Sequence, residues 1–117
     1  ADPAPLSEMV GIFFLGHSHE ARRPVIAANM AKIKMAFSLN CSAHEYWLAS
    51  AGKLHFIGHE KLMPWDHLAG VLVHQEAGGY TARFDNTPYR PGQTAGGILS
   101  APDKESWKML RREIVAL

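Results

Sequence analysis

Asp66 is the residue whose position most directly suggests chemistry, because it falls at the start of a predicted helix. Pro64 interrupts the segment before it, and Gly78 with Gly79 favours the left-handed backbone that ends a helix. A carboxylate in the first turn either caps the helix or is held at a cleft as a metal ligand. Spacing alone leaves both roles open for Asp66.

An apolar stripe runs along the same predicted helix. Its members recur at the i, i+3, i+4, i+7 spacing of one helical face. They are Trp65, Leu68, Ala69, Leu72 and Val73. We therefore expect this face to be buried against the rest of the fold.

A second helix is predicted to begin at Ser42. Ser42 and Glu45 have the spacing of a capping box, in which the serine caps the helix and the glutamate reaches back to it. A helix N-terminus presents free amide groups and partial positive charge, which suit a phosphate group. Asn40, Cys41 and Ser42 are therefore candidate substrate contacts, although an ordinary capped helix explains the same residues.

The segment from Trp65 to Gly79, with the sequence WDHLAGVLVHQEAGG, resembles the C-terminal signature of the inositol monophosphatase family. Residues 40–43 fall where that family has Gly-Ser-Ala-Ala, and residues 96–102 resemble its last strand and turn. Its members are Mg²⁺-dependent phosphomonoesterases related to fructose-1,6-bisphosphatase. The resemblance implies an α/β fold, with a mixed β-sheet layered with helices, like the C-terminal domain of these enzymes.

The resemblance also implies roles for individual residues. Asp66 would be a Mg²⁺ ligand, and Asn40, Cys41 and Ser42 would contribute to the substrate wall. His59 falls where many relatives carry a glutamate that touches the inositol hydroxyls, so a nucleotide, histidinol or sugar phosphate remains open as the substrate. A loop histidine exposed to solvent is the other interpretation of His59.

The family's other metal carboxylates lie in an N-terminal Gly-Glu motif and an Asp-Pro-Ile/Leu-Asp-Gly-Thr motif, and neither occurs in this sequence. We therefore expect a loose, Pro-rich start at residues 1–8 and a single α/β domain at residues 9–117, forming the C-terminal half of a longer phosphatase. That enzyme would hydrolyse a small phosphomonoester such as inositol monophosphate. It would be a homodimer and share its Mg²⁺ with residues outside this chain, which alone would be inactive or nearly so.

Composition narrows the class of protein further. The 117 residues are enough for one domain with one core. The formal net charge of +1, without a long run of one sign, argues against a nucleic-acid or membrane-surface partner. No apolar run reaches the ~20 residues of a transmembrane helix, and no signal peptide is evident. A single cysteine, Cys41, fits a reducing compartment, so we expect a cytoplasmic protein.

Hydrophobic periodicity predicts strands and helices in alternation. Strands are expected at residues 9–15, 33–39, 54–57, 80–84 and 97–100. Helices are expected at residues 25–31, at 42–51, around the Asp66 segment and at 103–115. This order predicts a mixed sheet layered with helices.

Two other functional classes stay open. A free-standing binding module would keep the fold without the chemistry. A zinc-binding domain would use His17 with His19 and His67 with His74, although zinc sites need three or four convergent ligands. Cys41 as a nucleophile lacks a His–Asp partner pattern, so we expect a small buried or cleft-lining thiol.

Overall fold

In the described part of the chain, five strands form a central sheet, and helices cover both of its faces. The computed structural model describes residues 1–13, 21–39, 41–60, 64–90, 92 and 96–117, with the backbone alone at residues 64–66. The strands are β1 (Val10–Phe13), β2 (Met35–Ala36), β3 (Phe56–His59), β4 (Tyr80–Arg83) and β5 (Ile98–Ala101). The helices are α1 (Arg23–Asn29), α2 (Ser42–Ser50), α3 (Pro64–Glu76) and α4 (Lys104–Leu110). Short 3₁₀ turns at Leu6–Glu8 and Met30–Lys32 and a π-helical turn at Arg111–Val115 complete them.

The sheet is mixed, with the strand order β2-β1-β3-β5-β4. β1 pairs in parallel with β2 on one side and with β3 on the other. β5 runs antiparallel to both of its neighbours, β3 and β4. The predicted fold class and the predicted order of strands and helices are both confirmed.

Alternate residues of each strand point to opposite faces of the sheet, and they divide the interior into two clusters. One cluster joins the sheet to α1 and α4. It contains Met9, Phe13, Ile26, Ile33, Phe56, Ala82, Phe84, Leu99, Ala101, Trp107, Leu110, Ile114 and Val115. The other cluster joins the sheet to α2 and α3. It contains Ile12, Tyr46, Ala49, Leu54, Ile57, Val71 and Ile98. The protein therefore has three layers, with α1 and α4 opposite α2 and α3.

The edge strand β2 is much shorter than its sequence predicts. Alternation over residues 33–39 indicated a strand with Ile33 and Met35 on one buried face. Only Met35 and Ala36 pair with β1, and Met35 is 54% exposed while Ile33 is buried. The alternation of apolar residues over 33–39 therefore does not correspond to a strand with one buried face.

The buried face of α3 is not the apolar stripe that its sequence indicates. The stripe residues Leu68, Leu72 and Val73 are 43%, 59% and 53% exposed. The face turned towards the sheet and α2 instead carries His67, Val71 and His74, all of them buried. Both histidines find hydrogen-bonding partners there, which removes the penalty for burying a polar ring.

Gly70 allows α3 to approach α2 closely. A Cβ atom at this position would overlap the ring of Tyr46, including the ring carbon attached to the Tyr46 Cβ. That part of the tyrosine cannot swing aside without moving α2. The glycine is therefore required by the packing of the two helices rather than by the conformation of its own backbone.

We expect Gly70→Ala to lower the free energy of unfolding by about 1–3 kcal/mol, the usual cost of overpacking. Alanine in a helix interior normally stabilises by about 0.5–1 kcal/mol relative to glycine, so the sign of the change is diagnostic. Urea unfolding of both proteins measures it. Gln75→Ala, on the exposed side of the same helix, is the control and should change little. A more stable Gly70→Ala variant would contradict the close packing of α2 and α3.

Candidate functional site

The chain adds β2 on one side of β1 and then adds β3 on the other side, so the direction in which the sheet grows changes between β1 and β3. The helix that links β1 to β2, α1, lies on one face of the sheet, whereas α2, which links β2 to β3, lies on the other. In open α/β sheets, ligands collect beyond the carboxyl ends of the strands at such a switch point. His59 ends β3 at this edge, and α2 and α3 begin there, so this edge is the candidate site.

A buried polar cluster lies at this edge between α2, β3 and α3. Its members are Glu45, Tyr46, His59 and His67, which are 1%, 2%, 8% and 1% exposed. They come from three elements that are separate in sequence. The cluster therefore joins the first turn of α2, the carboxyl end of β3 and the first turn of α3.

The Glu45 carboxylate holds two segments at once. Its Oε1 atom lies 3.2 Å from His59 Nε2. Its Oε2 atom accepts hydrogen bonds from the Leu39 backbone N–H at 3.1 Å and from the Ser38 hydroxyl at 3.4 Å. One side chain thus fixes the backbone ahead of α2 against the end of β3.

The Glu45 side chain is ionised at neutral pH despite its burial. Burial raises the pKa of a carboxyl group, but the hydrogen bonds from His59, Leu39 and Ser38 outweigh it and hold the pKa of Glu45 below its usual value. An ionised carboxylate is only an acceptor of hydrogen bonds. His59 Nε2 therefore carries the proton and donates a hydrogen bond to the Glu45 carboxylate.

A second hydrogen bond in the cluster ties α2 to α3. The Tyr46 hydroxyl lies 2.9 Å from His67 Nδ1. The His67 ring also meets the His59 ring edge to face, with 4.9 Å between the ring centroids. Because His67 directly follows Asp66, these contacts fix the start of α3 relative to α2 and β3.

The predicted substrate-wall residues lie at the N-terminus of α2. Cys41 is the N-cap residue and is exposed, and Ser42 is the first helical residue and is half-buried. The capping-box prediction is wrong, because the N-cap residue is Cys41, whose side chain makes no capping hydrogen bond, and Glu45 reaches back to Leu39 rather than to Ser42. The bond with His59 draws the carboxylate inwards. Asn40 lies outside the described residues.

His59 is the last residue of β3, not part of a loop. Its 8% exposure and its bond with Glu45 exclude the interpretation as a solvated loop histidine. The contact with substrate that the family resemblance implies for His59 stays a prediction. The signal that sequence analysis missed is the buried glutamate at position 45, which gives the imidazole its partner.

Asp66 is the third residue of α3, in the first turn as predicted, and its side chain lies outside the described part of the structure. Across the described residues, no group of three or more His, Cys, Asp and Glu side chains is arranged to hold a metal ion. His67 and His74, considered as a zinc pair, bond instead to Tyr46 and Thr81. His17 and His19 lie outside the described residues.

The thiol of Cys41 is exposed rather than buried. Its Sγ atom lies 3.8 Å from Nδ1 of His44, one helical turn along α2. The His44 ring meets the exposed Trp47 ring edge to face, with 5.9 Å between centroids. A nucleophilic role for Cys41 remains an untested alternative.

A further buried polar chain crosses from α3 to the sheet and was not predicted. His74 Nδ1 lies 3.2 Å from Thr81 Oγ1, which lies 2.8 Å from Ser100 Oγ. Burial lowers the pKa of His74 below its usual value because the charged ring would lose its hydration. This chain anchors the second half of α3 on β4 and β5, whereas the cluster around Glu45 anchors its start.

Comparison with protein families decides what this fold belongs to. The model of the inositol monophosphatase family matches residues 5–116. The chain belongs to the inositol monophosphatase family. Comparison with curated proteins by sequence gives no match.

Solved structures of inositol monophosphatases have the same fold. The enzyme from Anabaena (Nostoc) sp. PCC 7120 is 20% identical, with a TM-score of 0.77. The enzyme from Zymomonas mobilis is 17% identical, with a TM-score of 0.83. SaIMPase-II, in a structure with inositol monophosphate bound, is 16% identical, with a TM-score of 0.80. These matches cover 100%, 99% and 99% of this chain but only 47%, 46% and 45% of those chains. The chain thus spans less than half the length of these relatives.

Among the described helices, none is both long enough and apolar enough to cross a membrane.

Stability should fall as the pH falls below the unfolded-state pKa of histidine, about 6.5. His74 and His55 both have lowered pKa values in the folded chain, chiefly through burial. The unfolded state therefore binds more protons in this range, and each histidine contributes a slope of at most about 1.4 kcal/mol per pH unit. We expect His74→Gln to reduce the slope of unfolding free energy between pH 7 and 5, and the double variant with His55→Gln to reduce it further. Urea titrations across this range measure it, and an unchanged slope in both variants would contradict the assignment.

Proposed function

We propose that this chain is part of a metal-dependent phosphomonoesterase that acts on a small phosphorylated substrate. The observation that carries the proposal is the family match across residues 5–116. The binding of inositol monophosphate by SaIMPase-II supports a small phosphomonoester as the substrate class. We also propose a homodimeric assembly, which the family resemblance implies, and a cytoplasmic location, which the single cysteine Cys41 favours.

The geometry of the candidate edge supports this function. Cys41 and Ser42 begin α2, His59 ends β3 and Asp66 lies in the first turn of α3. The bonds of Glu45 with His59 and of Tyr46 with His67 bring these three termini to one place. The free amide groups and partial positive charge of the two helix N-termini suit an anionic phosphate. We therefore propose Asn40, Cys41, Ser42 and His59 as the substrate wall.

Asp66 is the proposed metal ligand of this chain. Mg²⁺ takes oxygen ligands, shares carboxylates with substrate phosphate and stabilises the charge that develops at the phosphoryl group. The described residues do not by themselves build a metal site, so a site here would be completed by carboxylates from elsewhere in the protein. This role is supported by the position of Asp66 in the first turn of α3, directly before His67, whose contacts with Tyr46 and His59 fix that turn.

The outer face of α3 suggests where the rest of the protein lies. Leu68, Leu72 and Val73 on α3 and Trp47 on α2 are all strongly exposed in this chain. A surface with several large exposed apolar side chains is often covered by a partner or by another part of the protein. The chain spans less than half of its structural relatives, so we propose that the remaining length of the same polypeptide packs on this face.

The metal-ligand role of Asp66 is tested in the protein at its natural length. We expect Asp66→Asn to lower the rate of phosphate release by about a hundredfold or more and to raise the Mg²⁺ concentration needed for half-maximal rate. Inositol, sugar, nucleotide and histidinol phosphates are assayed in parallel. Asp85→Asn, in an exposed turn where asparagine is well tolerated, is the matched control. Unchanged rate and Mg²⁺ dependence in Asp66→Asn would end this role.

If the rest of the polypeptide packs on the outer face of α3, substitutions on that face should act differently in the 117-residue chain and in the protein at natural length. In the 117-residue chain alone, the pair of substitutions Leu72→Ser and Val73→Ser should reduce aggregation, because it removes apolar surface from water. In the protein at natural length, the same pair should lower the unfolding free energy by about 2–5 kcal/mol, since those side chains would be buried. Light scattering and urea unfolding give the two measurements. Val25→Ser on α1, which is equally apolar and 46% exposed, should have little effect on stability in either context. The proposal would be contradicted if the pair left the unfolding free energy of the protein at natural length nearly unchanged.

A further inference from the structure

We propose that Glu45 is a positioning residue of this site, which fixes the proton of His59 on Nε2 and locks the N-terminus of α2 to the carboxyl end of β3. The inference rests on the proposed function, because it assigns Glu45 to the support of the substrate wall. Glu45 does not itself belong to that wall, since its carboxylate is buried and both oxygens are occupied by the protein.

The two oxygens of Glu45 have separate partners. Oε2 accepts two hydrogen bonds, from the Leu39 backbone N–H and from Ser38, and Oε1 accepts one, from His59. Only a group with two acceptor oxygens satisfies all three donors in this arrangement. A carboxylate meets that requirement, and an amide of the same shape does not.

Glu45→Gln therefore requires one particular orientation of the glutamine amide and one particular tautomer of His59. The Leu39 amide can only donate, so the glutamine oxygen must face it and the glutamine NH₂ group must face His59. An NH₂ group is a donor, and His59 Nε2 can accept from it only by giving up its proton to Nδ1. The substitution should thus switch the tautomer of the His59 ring without changing the volume of the buried side chain.

A purely structural role for Glu45 would not produce this switch. Loss of buried packing lowers stability, but it does not move a proton from one ring nitrogen of a neighbouring residue to the other. The tautomer of His59 is therefore the readout that separates positioning from packing. It also reports on Glu45 whether or not the protein hydrolyses a given phosphate ester.

The first measurement is a long-range ¹⁵N–¹H spectrum of the imidazole rings in the protein at its natural length, above pH 7.5. We expect His59 in the wild type to show the pattern of a ring protonated at Nε2, and Glu45→Gln to show that of a ring protonated at Nδ1. Glu105→Gln is the matched control, because Glu105 is an exposed carboxylate in the first turn of α4. A wild-type ring protonated at Nδ1, or a Glu45→Gln ring that stays protonated at Nε2, would overturn the proposal.

The second measurement is steady-state kinetics with the phosphate ester that the wild type hydrolyses. Because Glu45 supports the wall without touching substrate, we expect Glu45→Gln to raise KM roughly tenfold while kcat changes less. Glu105→Gln should leave both constants unchanged. A tautomer switch with unaltered kinetics would separate Glu45 from the substrate wall and overturn its role in the site. A wild type that releases no phosphate from any ester would instead refute the proposed function, and the spectrum would still decide whether Glu45 fixes His59.

Discussion

The buried carboxylate of Glu45 is the constraint on which the arrangement of this site depends. Taking an ionised carboxylate out of water costs several kcal/mol, and only well-placed donors offset that cost. The donors here are Leu39, Ser38 and His59, which lie six, seven and fourteen residues from Glu45. Any movement of the segment before α2 or of the end of β3 would take at least one of these donors away from the buried charge. The electrostatics of one side chain therefore fixes the relative position of two elements.

The two faces of the sheet are stabilised in different ways. The face covered by α1 and α4 is held by a large apolar cluster that includes Trp107 and Phe56. The face covered by α2 and α3 has a smaller apolar cluster and two polar chains, one around Glu45 and one from His74 to Ser100. Hydrogen bonds depend on direction far more than apolar contacts do. The two polar chains thus fix the directions of side chains on the face of α2 and α3, which apolar packing alone would not do.

The sequence predicted the order of the elements because periodicity reports burial along a segment, and that order determined the fold class. It did not predict which side of α3 faces its own sheet. An apolar stripe at Leu68, Leu72 and Val73 shows only that some surface will cover it, and a histidine at 67 or 74 carries no local sign of Tyr46 or Thr81 as its partner. The role of Glu45 was missed for the same reason, since a local capping pattern explained it as well as a bond to His59. The Trp-Asp signature identified the family, because a fixed run of residues requires no knowledge of distant contacts.

The topology explains why these distant partners meet. β1, β2 and β3 run parallel, and the chain passes from β2 at one edge to β3 on the far side of β1 through α2. Because of this crossover, α2 starts at the side of the sheet where the carboxyl ends of the parallel strands lie. β3 ends at that side, and α3 starts there as well. Strand order alone therefore puts the start of α2, the end of β3 and the start of α3 at the same side of the sheet. This chain shares its fold with solved structures that are only 16–20% identical to it. The hydrogen bonds of Glu45 with His59 and of Tyr46 with His67 then fix these ends relative to one another. They depend on the side chains of this particular sequence.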